Sequence, residues 1–235
     1  MPVHLQRAIA QLMKLLVALS AKVEESVKRV IHALEENNIQ VARDVIKDDE
    51  EIDTREIAIE EECLKIFALH QPVARDLRFL VAVLKINNDL ERIGDLTQNI
   101  AYDVIYILSR PVLIKPARLD ILGIYQKVQS MLKKSLDSIV NMELKSAYDI
   151  LKADDEVDHL QREFETALIE VIKQDPADVD ILIQYIHIAR HLERIADHAT
   201  NVAEDIIYLI NGEIVRHGMK RGEVEEKMAH LTDEA

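Results

Sequence analysis

The chain has 235 residues, 49% hydrophobic and 31% charged, so it can bury a sizeable core and lacks the composition of a disordered protein. Its net charge of −14 opposes binding to phosphate backbones, and the low aromatic content (4%, no Trp) offers few surfaces for stacking bases. We therefore expect no nucleic-acid partner. The single cysteine, Cys63, excludes an internal disulfide, and the sequence has no run of ~20 apolar residues. We also expect no signal peptide, because lysines interrupt the first apolar stretch and no small-residue cleavage site follows it. These features favour a cytoplasmic protein that does not span a membrane.

Apolar residues spaced three and four apart predict helices along the whole chain, and no segment has the alternation of a strand. Asn-Asn, X-Pro and Asn-Gly pairs mark the breaks between helices. The predicted helices run from His4 to about Glu36, Ile39 to Leu69, Val73 to about Leu108, Ala117 to about Met142, Leu144 to about Lys173, and Ala177 to Ile210.

One stretch of sequence occurs twice, at a constant offset of 102 residues (193 − 91). Leu-Glu-Arg-Ile-x-Asp begins at Leu90 and again at Leu192, and each copy continues with identical Asn, Ala, Asp, Ile and Tyr residues. An ungapped match of this length indicates two copies of one structural unit. We predict an all-α protein in which two tandem three-helix repeats form an elongated six-helix bundle. The predicted boundaries are 1–109 for the first repeat, 110–116 for a linker, 117–211 for the second repeat and 212–235 for a polar tail.

Carboxylates spaced four apart occur on the second and third helix of each repeat. Residues four apart lie on one face of a helix, and the proline turn between these helices makes them antiparallel. Asp49 precedes Pro72 by 23 residues and Glu91 follows it by 19, so the pairs on the two helices lie at similar heights. The sequence thus predicts two groups of four carboxylates, namely Asp49, Asp53, Glu91 and Asp95, and Asp154, Asp158, Glu193 and Asp197.

Four oxygen ligands without a cysteine favour Mg²⁺, Mn²⁺, Ca²⁺ or iron, with zinc as an alternative. The competing interpretation is a solvated acidic face, because Glu91 and Asp95 lie opposite the apolar stripe of their helix. Identity across two repeats favours metal binding over simple solvation. Asn99 and Asn201 are candidate additional ligands.

Other duplicated polar residues have weaker interpretations. Arg92 and Arg194 either hold a neighbouring carboxylate or are surface charges. Asp103 and Asp205 lie further round the helix, and we expect them to be surface charges.

A carboxylate-bridged iron oxidase or storage protein is the alternative function on a helical bundle. Such sites use a Glu-x-x-His motif on each of two helices, whereas only Glu156 and His159 match, and the first repeat lacks the counterpart. Three histidines of the sixth helix, His187, His191 and His198, have no equivalents on the third and are interpreted as residues at the edge of the core or on the surface. With no phosphate loop, nucleophile elbow or Cys/His dyad, the sequence offers no catalytic residues, and we do not expect an enzyme.

The duplicated Leu-Glu-Arg-Ile-x-Asp-x-x-x-Asn motif resembles the PhoU family of phosphate-uptake regulators, and the resemblance covers nearly the whole chain. In that family the Asp/Glu-x-x-x-Asp pairs are associated with multinuclear clusters of iron or other metals. Carried over by position, the resemblance implies one cluster at each group of four carboxylates named above. Asp48, Glu50 and Asp155 are alternatives to Asp49 and Asp154, displaced by one residue.

The resemblance also implies a function. It predicts a non-enzymatic cytoplasmic regulator that restrains the high-affinity phosphate ABC importer and keeps the associated sensor histidine kinase quiet when phosphate is plentiful. Iron is the first metal expected, with zinc, manganese or magnesium as alternatives. A two-fold repeat could also face a two-fold partner, including a homodimer.

Overall fold

The computed structural model describes residues 3–110 and 120–212, which form six helices and, within those ranges, no strand. The helices are α1 (Val3–Glu35), α2 (Ile39–His70), α3 (Ala74–Leu108), α4 (Ile121–Asn141), α5 (Leu144–Gln174) and α6 (Val179–Asn211). The predicted all-α class is confirmed, and most helix ends lie within two residues of the prediction. The start predicted for α4 at Ala117, most of the linker and nearly all of the tail lie outside the described residues.

Local signals in the sequence account for the ends of the helices. The side chain of Asn38 accepts hydrogen bonds from two backbone amides in the first turn of α2, and Asp120 accepts one from Gly123 at the start of α4. Gln71, in the left-handed conformation before Pro72, ends α2. Gly212 ends α6 with φ +75°, a backbone conformation that costs glycine little.

A single hydrophobic core runs through all six helices. Helices α3 and α6 pack on each other at the centre, α1 and α4 also meet, and α2 and α5 lie at the two outer sides. Each three-helix repeat thus shares its core with the other. None of the helices in the described part of the chain combines the length and the apolar composition that a membrane span requires.

The central pair, α3 and α6, is antiparallel and related by an approximate two-fold axis. Lys85 near the start of α3 contacts Asp205 near the end of α6, while Asp103 near the end of α3 faces His187 near the start of α6. The offset of 102 residues between the repeats relates Lys85 to His187 (187 − 85) and Asp103 to Asp205 (205 − 103), so the two contacts occupy equivalent positions. The expectation that Asp103 and Asp205 are surface charges is therefore wrong. Both are largely buried because a second helix packs on the side of α3 and α6 that carries them.

Candidate functional site

The first acidic cluster, defined as Asp49, Asp53, Glu91 and Asp95, lies where α2 packs on α3. The carboxylate of Asp49 is only 8% exposed and accepts a hydrogen bond of 2.6 Å from the Nε2 of Gln98. The two helices approach closely at this level, since a Cβ atom at Gly94 would lie 3.2 Å from Oδ1 of Asp49. The absence of a side chain at Gly94 thus lets α2 bring Asp49 against α3.

Two carboxyl groups of this cluster, those of Asp49 and Glu91, have a raised pKa. Burial raises the pKa of Asp49 to about 6, and the negative charges of Asp53, Asp95 and Glu91 add to the shift. The pKa of Glu91 is also raised, first by burial and then by Asp95 and Asp53, with Arg92 and His198 acting in the opposite direction. The four side chains therefore lie within electrostatic range of one another, as the spacing along the sequence predicts.

The second acidic cluster, defined as Asp154, Asp158, Glu193 and Asp197, repeats this arrangement between α5 and α6. Burial raises the pKa of Asp154 to about 6, with further contributions from Asp197 and Asp158. The pKa of Glu193 rises to about 7, through burial first and then through the other three carboxylates. Apart from the exposed Asp53 and Asp197, the carboxylates of both clusters are at least partly buried, and a bound cation would neutralise their charge.

The clusters offer oxygen ligands but are not closed around a central point. Within residues 3–110 and 120–212, no three His, Cys, Asp or Glu side chains stand close enough together to hold a metal ion as they are. The donor set is nevertheless chemically suited to hard cations, because each cluster supplies four carboxylates and no sulfur ligand. Metal binding at these eight residues remains a prediction.

The carboxylates next to Asp49 and Asp154 in the sequence have different surroundings from these two residues. Asp48 forms ion pairs with Lys22 (3.5 Å) and Arg29 of α1, and both Glu50 and Asp155 are exposed. Asp49 and Asp154, by contrast, point at the helix that carries the rest of their cluster. This orientation favours Asp49 and Asp154 over the alternatives displaced by one residue.

The duplicated arginines and asparagines differ in their surroundings. Arg92 lies 3.3 Å from Asp95 and 3.6 Å from Glu91, so it can hold both carboxylates, and Arg194 lowers the pKa of Glu193. Asn99 and Asn201 are both exposed, but the side-chain amide of Asn201 donates a hydrogen bond of 3.1 Å to Asp89 on α3. In this arrangement Asn201 joins the two repeats.

Comparison of the repeats by identity missed several residues near the clusters. Gln98 and Thr200 occupy equivalent positions (200 − 98 = 102), and each donates a hydrogen bond to the buried aspartate of its cluster, Asp49 and Asp154. They are different residue types, so only their shared ability to donate a hydrogen bond would have revealed them. Glu56 also lies near the first cluster, and its pKa is raised by burial and then by other carboxylates, including Glu91.

The residues that would support an iron oxidase face away from both clusters. Glu156 lies 2.6 Å from Lys127, and His159 lies 3.3 Å from Glu163 on its own helix. Both side chains are largely exposed. This lone Glu-x-x-His pair therefore does not form part of a site inside the bundle.

Comparison with known proteins identifies the family of the chain. The PhoU domain family model matches residues 16–104 and again 121–206, one match for each repeat. The chain is 35% identical over 195 residues to a phosphate-specific transport system accessory protein PhoU homolog of Aquifex aeolicus, covering 83% of this chain and 87% of that protein. A Thermotoga maritima homolog of the same description is 29% identical over 218 residues, covering 93% and 94% of the two chains.

Solved structures give the same result for the fold. The crystal structure of PhoU from Pseudomonas aeruginosa superposes with a TM-score of 0.85 at 30% identity, covering 88% of this chain and 99% of that one. The regulatory protein PhoU from Streptococcus pneumoniae gives 0.83 at 27% identity, covering 91% and 100%. With both repeats matched by the family model and most of the chain matched by these relatives, the protein belongs to the PhoU family.

Proposed function

We propose that this protein is a metal-binding, non-enzymatic regulator in the cytoplasm that restrains phosphate uptake by the phosphate ABC importer and the signalling of its sensor histidine kinase. The observation that carries the proposal is the matched pair of acidic clusters, one in each repeat. Relatives named as accessory proteins of a phosphate-specific transport system supply the transport context.

Electrostatics is the physical argument for metal in the clusters. Asp49, Asp154 and Glu193 raise the free energy of the metal-free folded state when they are ionised, because burial and the negative charges of neighbouring carboxylates both disfavour their charged forms. Asp49 and Asp53 from α2 would share a bound ion with Glu91 and Asp95 from α3, and the four residues of the second cluster would do the same between α5 and α6. A bound ion would supply positive charge and link the two helices. We propose iron first, with manganese, zinc or magnesium as alternatives.

Metal analysis of the purified protein tests the first half of the proposal. We expect more than one ion per chain after anaerobic purification, and loss of the ions held by the two acidic clusters in the double variant Glu91→Ala/Glu193→Ala. The control is Glu50→Ala/Asp155→Ala, which removes two exposed carboxylates adjacent to Asp49 and Asp154 and is expected to keep its metal. Equal metal content in all three proteins, or none in the wild type, would contradict the assignment of metal to the clusters.

Partner binding tests the part of the proposal that concerns the importer and the sensor kinase. In our proposal the metal-loaded clusters form part of the surface that contacts the importer and the sensor kinase, because bound ions convert an acidic surface into one of mixed charge. Co-purification of importer and kinase subunits with the tagged protein is expected to fall at least tenfold after chelation and to recover when iron is restored. Unchanged co-purification after chelation would overturn this mechanism.

A further inference from the structure

The approximate two-fold axis between α3 and α6 creates two equivalent positions that the chain fills differently. At one position the ammonium group of Lys85 lies 2.6 Å from Oδ1 of Asp205. At the other, the offset of 102 residues puts His187 in place of Lys85 and Asp103 in place of Asp205. A second histidine, His191, stands where the first repeat has Asp89 (191 − 89 = 102). A lysine and an aspartate in one half thus correspond to two histidines in the other.

The histidines and Asp103 face one another without forming hydrogen bonds. Nδ1 of His187 lies 3.8 Å from Oδ1 of Asp103, and Nε2 of His191 lies 3.8 Å from its Oδ2. Both separations exceed the length of a hydrogen bond. Oδ2 of Asp103, the oxygen that faces Nε2 of His191, is buried and has no hydrogen-bond partner among the described residues. Buried polar atoms are normally paired, so this arrangement calls for an additional group.

The spacing suits a metal ion in that role. Histidines four apart on one helix face the same way and are a common pair of metal ligands. Two atoms bound to one ion at about 2.1 Å lie roughly 3 to 4 Å from each other, which matches the observed separations between nitrogen and oxygen. The equivalent position in the other half already carries a positive charge, the ammonium of Lys85 beside Asp205. Two imidazoles and one carboxylate favour zinc-like transition metals over Mg²⁺ or Ca²⁺.

We propose that His187, His191 and Asp103 form a third metal site, specific for a zinc-like divalent ion and separate from both acidic clusters. The three side chains are not closed around one point as they stand. The imidazole of His187 is 46% exposed, which leaves it room to turn toward Asp103 and gives the ion access from solvent. The site occurs only in the second position because the first has Lys85 and Asp89 instead of the histidines.

Cobalt titration of the full-length, metal-free protein tests the proposal, since the visible bands of Co²⁺ are intense at a four-coordinate site, shift with nitrogen ligands, and disappear when zinc takes the same site. The wild type and the acidic-cluster variant Glu91→Ala/Glu193→Ala are both expected to bind one Co²⁺ with this spectrum. His187→Gln and His191→Gln are each expected to weaken that binding at least tenfold. The control His159→Gln alters an exposed histidine that faces Glu163 and is expected to bind as the wild type does.

Two outcomes would overturn the proposal. One is Co²⁺ binding with equal affinity in the wild type and in both His187→Gln and His191→Gln, and the other is no Co²⁺ binding in the acidic-cluster variant. If the histidine variants do not fold, zinc-edge X-ray absorption of the acidic-cluster variant decides instead. Two imidazoles around zinc would support the site, and a shell of oxygens alone would contradict it. Failure of the acidic clusters to bind iron would leave this result unaffected, so the two proposals can be tested separately.

Discussion

Asp48 and Asp49 are neighbours in the sequence, yet their side chains have opposite electrostatic surroundings. Asp48 faces the cations Lys22 and Arg29 of α1, whereas Asp49 faces the carboxylates of α3. One step along a helix turns the side chain by about 100°, which is enough to move it from one neighbouring helix to the next. Their replacement by asparagine should therefore change stability in opposite directions.

Asp49→Asn is expected to stabilise the metal-free protein at pH 7.5 by about 1 kcal/mol, or about 3 °C in Tm. The folded-state pKa of about 6 lies above the ordinary value of 3.8, so folding favours the protonated carboxyl group. That contribution is present below the unfolded pKa and is lost as the pH rises through the folded pKa. The advantage of asparagine should therefore largely disappear near pH 4. Thermal unfolding at both pH values, in the presence of a chelator, measures the difference.

Asp48→Asn is the matched control for this prediction. It removes an ion-pair partner from Lys22 and from Arg29, so the free energy of unfolding should fall by up to about 1 kcal/mol. A loss of stability in Asp49→Asn comparable with that in Asp48→Asn would contradict the raised pKa of Asp49. Metal binding should show the reverse dependence, with loss in Asp49→Asn and none in Asp48→Asn.

At the scale of the helices, the contact between α2 and α3 depends on Gly94. A Cβ atom at this position would lie 3.1 Å from Cγ2 of Ile52 and 3.2 Å from Oδ1 of Asp49. The equivalent residue in the second repeat is Ala196, which is fully buried (196 − 94 = 102). The second repeat therefore accommodates a methyl group where the first has none.

Gly94→Val is expected to lower the free energy of unfolding by about 2 kcal/mol, since the branched side chain would push α2 away from α3. It should also weaken metal binding at the first acidic cluster while leaving the second unchanged. Thermal unfolding and metal titration measure the two effects. The control is Ala58→Val at an exposed position of α2, which adds a β-branched residue to a helix without crowding. Equal destabilisation by both substitutions would contradict the close approach at Gly94.

The helices were predictable from the sequence because the residues on the buried face of a helix recur every three or four positions, and so every seven. Val45, Ile52, Ile59 and Ile66 follow that period, and all four are buried. Which helices pack on each other was harder to predict from the sequence. The apolar stripe of α3 marks one buried face, but Asp103 belongs to a second buried face that contacts α6, and polar residues on that face resemble surface residues in the sequence. The acidic clusters could be predicted because the turn at Pro72 sets the relative heights of α2 and α3.

At the scale of the whole molecule, the two repeats share one core and should unfold together. The α3–α6 interface also contains charged groups, among them Lys85, which pairs with Asp205 of the other repeat. We expect a single thermal transition for the wild type, with circular dichroism and calorimetry giving the same midpoint.

Lys85→Ala should lower that midpoint without splitting the transition. Removal of the ammonium takes away an ion pair of 2.6 Å with the buried carboxylate of Asp205, at a cost of about 1–3 kcal/mol. Lys47→Ala on the exposed side of α2, where the lysine lies 3.7 Å from Asp44, should have little effect. Two separate transitions in the wild type or in Lys85→Ala would show that the repeats unfold independently.

The placement of both repeats on one chain has an evolutionary consequence for the interface between α3 and α6. In a homodimer of two identical three-helix subunits, one codon change would alter both positions related by the two-fold axis at once. In this chain the positions belong to different codons, so one half carries Lys85 and Asp89 and the other carries His187 and His191. A single chain can therefore give the two halves of a symmetric interface different chemistry, which a homodimer of identical subunits cannot do.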